Sequence, residues 1–273
     1  MNFRNYIGGA ICALAFAAAF LTVEGAIHFL NPVGMLIVIS GTLGATLLSY
    51  PFDDLVAAFR VARNTYSVKV PTATEVVNTL LGLSLKSRRD GILSLEFDEK
   101  KTEVTFLRDA LGMLVDGFDR KEIEEILVTE THFFKRRRER HERVFRHMAR
   151  LAPAFGVTGS VVGLIGMLTG LGDTVVILKM IPLAFTSTLY GIVLCNFVLN
   201  PVAESIHFKT QRELLMQRMV IDGVLAIIDE RNSHRLERKL KALMTPSARN
   251  SADLSFSEIR RRYLALTTKN EPA

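Results

Sequence analysis

The sequence predicts an all-α, polytopic membrane protein with four transmembrane helices and a large helical cytoplasmic insertion between the second and third. Two observations predict it. Four stretches contain no Asp, Glu, Lys or Arg: Tyr6–Val23, Val33–Phe52, Leu151–Gly172 and Met180–Ala203. Each runs roughly 18 to 24 residues, enough at about 1.5 Å per residue to cross a hydrocarbon layer of about 30 Å. Charge is also segregated: of 34 Lys and Arg in 273 residues, only Arg4 precedes residue 50 and only Lys179 lies between Leu151 and Pro201. That pattern excludes an ordinary soluble globule, and a 49% hydrophobic content excludes a disordered chain.

The first apolar stretch follows Arg4 and contains Ala17, Ala18 and Ala19, which superficially resembles a secretory signal. The second span follows after a short link containing Asn31 and Pro32, so a retained helical hairpin is the simpler account. Basic residues set orientation, because cytoplasmic segments accumulate them. The link from Glu24 to Pro32 has none and that from Asp173 to Lys179 has one, so both face the outside and both termini are cytoplasmic. The divisions expected are a transmembrane hairpin at 1–52, a helical domain at 53–150, the third and fourth spans at 151–203, a cytoplasmic helix at 204–246 and a flexible tail at 247–273.

Within the insertion, Val76, Val77, Leu80, Leu81 and Leu83, then Phe106, Leu107, Ala110, Leu111 and Leu114, recur at helical spacing. Pro71, Gly91 and Asp116-Gly117 offer breaks. From Arg120 to Arg150 a long polar helix carries Lys135, Arg136, Arg137, Arg138, Arg140, Arg143, Arg146 and Arg150 toward the third span. It suits either a solvated, positive-inside anchor or a face for lipid headgroups or an acidic partner. Its histidines, His132, His141 and His147, are expected at the surface. Another amphipathic helix is expected over Glu204–Lys241.

The chemistry on offer is limited. Cys12 and Cys195 are expected as buried small hydrophobes, and no clustered metal ligands, catalytic triad or phosphate loop is present. No enzyme, no cofactor and no nucleic-acid partner are expected; the net charge of +6 reflects the cytoplasmic segments. Gly156, Gly159, Gly163, Gly166 and Gly170 form small-xxx-small pairs that let helix backbones touch in lipid. Packing within one subunit and packing between subunits are equally compatible with them. The third and fourth spans carry hydroxyls at Thr158, Ser160, Thr169, Thr186, Ser187, Thr188 and Tyr190. Singly, each is expected to bond its own helix carbonyl one turn back; clustered, they line a wet path. An ion pathway needs an ionisable group in the membrane, and these spans contain none, so a partner must bring the carboxylate.

At these residues the chain resembles the MotA/PomA subunits of the bacterial flagellar stator. The matching stretches are Leu30-Asn31-Pro32, Gly41-Thr42-Leu43-Gly44-Ala45-Thr46, Arg88 through Glu96, Phe106-Leu107-Arg108 through Gly117, Ala152-Pro153-Ala154-Phe155-Gly156, Thr188-Leu189-Tyr190-Gly191 and Asn200-Pro201. They run in the family's order from about Tyr6 to Leu243. The resemblance implies an inner-membrane ring, a pentamer in the family, around single-span MotB/PomB-type chains whose aspartate carries Na+ or H+. Lipid surrounds the ring, and residues 53–150 face the rotor.

The resemblance implies further roles. Ser160, Thr186, Thr188 and Tyr190 line the ion path; Pro153 and Pro201 couple ion passage to ring movement; Arg88, Arg89 and Glu96 meet FliG of the rotor. In the family, the position of Ser160 is a threonine in sodium-driven members and an alanine in proton-driven ones, so this chain departs from both. Its hydroxyl leans toward sodium, a hard cation that needs oxygen ligands. An ExbB/TolQ-like energiser of the outer membrane is the competing reading; its three spans lack the N-terminal hairpin. A membrane scaffold without ion coupling explains the glycines but not the hydroxyls.

Overall fold

The computed structural model describes residues 3–22, 29–67, 70–102, 104–229, 238–240 and 242, and every regular element among them is helical. The tail beyond Pro246 lies outside the described residues. Helix α1 is Phe3–Leu21 and α2 is Pro32–Ser49. Asn31 starts α2, its Oδ1 accepting from the Gly34 amide at 3.0 Å. Pro32 at the first helical position has its φ already set for a helix. Pro51 disfavours helical backbone at Tyr50, and α2 gives way there to α3, Phe52–Ser67, whose Asp53 and Asp54 lie at the positive end of the helix dipole.

Helix α4, Ala73–Asp90, opens on a capping box in which Thr72 and Glu75 satisfy each other's backbone amides. Gly91, at a φ of +81°, turns the chain into a 3-10 turn over Ile92–Leu95 and the short α5, Glu96–Lys101. Helix α6 is Thr105–Val115, and Gly117 at φ +80° closes it. The breaks fall beside Pro71, at Gly91 and at Asp116-Gly117, where the sequence offers them.

The polar helix and the third apolar stretch form one helix, α7, which runs for 50 residues from Arg120 to Thr169 with Pro153 inside it. Asp173 caps α8, Thr174–Val193. A π-helical segment, Leu194–Leu199, joins α8 to α9, Asn200–Ile228. Three described helices are long and apolar enough to cross a bilayer: α2, α7, and α8 running on into α9. The first apolar stretch is helical over the 19 residues of α1.

The chain forms two compact units, Met1–Ser67 with Glu139–His207, and Val68–Arg138 with Phe208–Ala273. In the first, Leu55, Ala58 and Ala62 of α3 pack on Val144, Phe145, Met148 and Ala152 of α7 and on Leu199, Ala203 and Ile206. Beyond this core the apolar faces turn outward, with Val157, Val161, Leu164, Ile165 and Leu168 all exposed. Such a continuous apolar surface is one that lipid or neighbouring subunits cover. In the second unit, Val77, Leu80, Leu95, Leu111, Ile123, Leu127, Met219 and Val224 make a conventional core. Fully burying each large side chain there contributes about 1.5–3 kcal/mol.

Two expectations are corrected. Cys12 is exposed and Cys195 only half-buried, because on a membrane helix an apolar residue faces lipid as readily as protein. His141 and His147 are half-buried rather than at the surface, and His147 packs edge-on against Tyr50 with ring centroids 5.5 Å apart. The helix that carries them is polar on average, but in the first unit its inner face belongs to the core. His132 is exposed as expected.

Candidate ion path along the α7/α8 seam

Gly156, Gly159, Gly163, Gly166 and Gly170 alternate steps of three and four residues, which places them on one edge of α7. All five face α8 of the same chain. A methyl at Gly163 would lie 2.7 Å from the Ala184 amide nitrogen, and one at Gly156 would lie 3.0 Å from the Ser187 carbonyl. From the opposite side, a methyl at Gly191 would lie 2.5 Å from the Ala152 carbonyl and 3.0 Å from Pro153 Cα. The two backbones therefore touch along the seam, as small residues allow in lipid.

Two hydroxyls meet where the seam is tightest. The Ser160 hydroxyl donates to the Ala184 carbonyl, and its Oγ lies 2.6 Å from Thr188 Oγ1 and 3.3 Å from the Gly156 carbonyl. Thr188 Oγ1 lies 3.4 Å from that same carbonyl. Each hydroxyl has a single proton to donate, so unused lone pairs remain on both hydroxyl oxygens, while the two carbonyls also serve the amides of their own helices. Such a set can coordinate a hard cation; with no ionisable group it cannot store a proton.

The other hydroxyls go elsewhere. Thr186 donates to the Pro182 carbonyl and Ser187 to the Leu183 carbonyl, both at 2.7 Å. Thr158 and Thr169 likewise return to their own helix. The Tyr190 hydroxyl donates to the Phe29 carbonyl and accepts from the Asn31 amide at 2.7 Å, so it ties α8 to the start of α2. Ser160 and Thr188 are brought together; Thr186 and Tyr190 are bonded outside their cluster.

Pro153 has no amide hydrogen, which leaves the carbonyl one turn earlier without its helical donor, and Gly191 sits directly on this turn. Pro201 is the second residue of α9, immediately after the π-helical segment. In the second unit, Arg88 and Arg89 end α4 and Glu96 begins α5, on either side of the turn at Gly91–Leu95. Lys100 hydrogen-bonds the Glu96 carboxylate at 2.8 Å and holds its pKa below the ordinary value. Lys86 bridges to Asp98 across the same turn. Sequence reasoning missed that clamp, and also the carbonyls of Gly156 and Ala184.

The sequence profile of the MotA/TolQ/ExbB proton channel family matches residues 98–219. Motility protein A of Treponema phagedenis is 30% identical over 218 residues, covering 80% of this chain and 84% of that protein. Chemotaxis protein PomA of Vibrio alginolyticus is 28% identical over 242 residues, covering 88% of this chain and 95% of PomA. The flagellar MotAB stator complex from Bacillus subtilis contains a chain with a TM-score of 0.82 to this one at 26% identity, covering 90% of this chain and 97% of that one. With its all-helical fold and membrane-length apolar helices matching these relatives over most of their length, the chain belongs to the MotA/TolQ/ExbB proton channel family, as a membrane-embedded MotA/PomA-type subunit of the flagellar stator ion channel.

Proposed function

We propose that this chain builds the ring of an ion-driven flagellar stator in the bacterial inner membrane, with both termini in the cytoplasm. Four spans cross the bilayer: α1, α2, the apolar part of α7, and α8 with its π-helical extension. Residues 53–150 form the cytoplasmic rotor-facing insertion. Five copies enclose single-span MotB/PomB-type chains whose aspartate carries the ion, and the insertion pushes on FliG through Arg88, Arg89 and Glu96. Pro153 and Pro201 bracket the moving part, at the start of one charge-free stretch and near the end of the other.

The observation that carries this reading is the Ser160–Thr188 hydroxyl pair, 2.6 Å apart between two helices without a charged side chain in their apolar stretches. It supplies neutral oxygens and lacks an anion, which is the complement of a partner's carboxylate. Sodium fits the pair better than a proton does, because sodium must replace lost water with oxygen ligands. The test expresses the chain with its own partner in a cell without stators and varies external sodium at fixed pH. Rotation that requires sodium and loses that requirement in Ser160→Ala supports the assignment. Rotation indifferent to sodium and abolished by a protonophore in sodium-free medium makes the ion a proton.

A further inference from the structure

We propose that the cytoplasmic edge of the first unit holds the phosphate headgroup of an anionic phospholipid. The site is a cavity of about 450 Å³ lined by Tyr50, Arg143, Arg146, Arg150, Cys195 and Asn200. The proposal rests on the membrane orientation given above and adds a ligand that this orientation does not require.

Arg143, Arg146 and Arg150 stand at i, i+3 and i+7, so they share one face of α7 over about 10 Å. Their guanidinium groups are not equally engaged. Arg146 is neutralised by Glu142 at 2.8 Å and Glu204 at 2.9 Å. Among the described residues, Arg143 reaches only the backbone carbonyl of Glu139, at 3.3 Å, and Arg150 has no hydrogen bond or ion pair. Two donor forks are thus left beside the cavity, and a planar fork of N–H groups matches a phosphodiester better than a point charge does.

Depth selects the source of that phosphate. Arg150 is the last charged residue before the apolar stretch Leu151–Gly172, and Cys195 and Asn200 lie near the end of Met180–Ala203. Tyr50 ends α2, where an aromatic ring with a polar tip suits the boundary between headgroups and hydrocarbon. On the same elements, Leu47 and Leu48 of α2 and Phe197 and Val198 of the π-helical segment are exposed apolar side chains. A free phosphate has no use for them; the acyl chains of a lipid seated at the arginines do.

The chain assembled with its own partner is placed in nanodiscs of phosphatidylcholine, with and without phosphatidylglycerol, and retained lipid is counted by native mass spectrometry. Wild type retains phosphatidylglycerol in preference to phosphatidylcholine. Arg143→Gln with Arg150→Gln reduces that preference by about twenty-fivefold, from a factor of about five per basic residue removed, with assembly and phosphatidylcholine retention unchanged. Should the double variant fail to assemble, each single variant is read instead, with about a fivefold reduction expected. Equal retention of both lipids by wild type, or an undiminished preference in the variants, overturns the proposal. So does displacement of phosphatidylglycerol by inorganic phosphate, which would make the site one for a free anion. A ring that keeps its phosphatidylglycerol but conducts no ion leaves this site standing and refutes the stator reading alone.

Discussion

Alanine at position 163 places a methyl carbon 2.7 Å from the amide nitrogen of Ala184 and 2.9 Å from its Cα. Both atoms are helix backbone, so neither can rotate away. Ordinary contact at about 3.5 Å is regained only if α7 and α8 separate locally by roughly 0.6–0.8 Å. The Ser160–Thr188 pair lies within a turn of this point at 2.6 Å, and that movement carries it past the roughly 3.0 Å limit of an O–H···O bond. Overpacking of this kind costs about 1–3 kcal/mol, and the better helix propensity of alanine offsets up to about 1 kcal/mol. A net loss of up to about 2 kcal/mol is expected after that offset. Two internal controls accompany it. Gly166→Ala meets the Met180 sulfur at 2.9 Å, a flexible side chain that can turn aside, and Gly82→Ala meets nothing within 4 Å. Thermal unfolding of the purified complex in one detergent, read beside ion flux, is the assay. The ordering expected is Gly163→Ala least stable, Gly166→Ala close to wild type, and Gly82→Ala equal or slightly above it. A Gly163→Ala complex as stable and as conductive as wild type refutes the close-contact argument.

Three further outcomes are expected. Tyr190→Phe leaves the Asn31 amide and the Phe29 carbonyl without the hydroxyl that both use; a loss of about 1–3 kcal/mol and faster amide exchange at the start of α2 check it. Burial, then the charge of Asp109, raises the pKa of Glu130 above 4.5. Its protonated form is therefore favoured by folding, and the stability it contributes, full below 4.5, is lost as pH rises through the raised value. Glu130→Gln should melt higher than wild type at neutral pH, with the gain vanishing in acid. Arg88→Glu combined with Glu96→Lys should impair swimming in the native host while the complex still assembles; wild-type swimming speed would count against these residues as the rotor contact.

The helices were legible because their determinants are local. Absence of charge marks α2, the end of α7 and α8; Thr72 with Glu75, Gly91 and Gly117 punctuate the insertion. That Arg120–Arg150 runs unbroken into the third apolar stretch follows from Pro153 lying where the chain is already helical. Partners across long separations were not legible. Nothing in the spacing of seven hydroxyls says that Ser160 meets Thr188 while Tyr190 reaches back to Phe29, since those pairings depend on how far two helices slide past each other. The same holds for the glycine edge, whose face was readable and whose neighbour was not. Apolar character also misled at Cys12, because in lipid it no longer reports burial.

The π-helical segment at Leu194–Leu199 acts as an angular phase shifter. Helix α8 buries Leu183, Ala184, Thr186, Ser187 and Gly191, whereas the buried positions that follow are Leu199, Ala203, Ser205 and Ile206. At about 100° per residue, an ordinary helix would place the second stripe roughly one residue around from the first, and the one extra residue that a wide turn takes up returns it to the same side. The first stripe can then seat on the glycine edge of α7 while the second seats on the core around Leu55 and Ala58. Deleting one residue between 194 and 199 would leave Ala203 and Ile206 on the same side of an ordinarily wound helix, whereas regular winding at the present chain length would swing them out of that core. The wide turn is therefore what lets one buried stripe run through both helices.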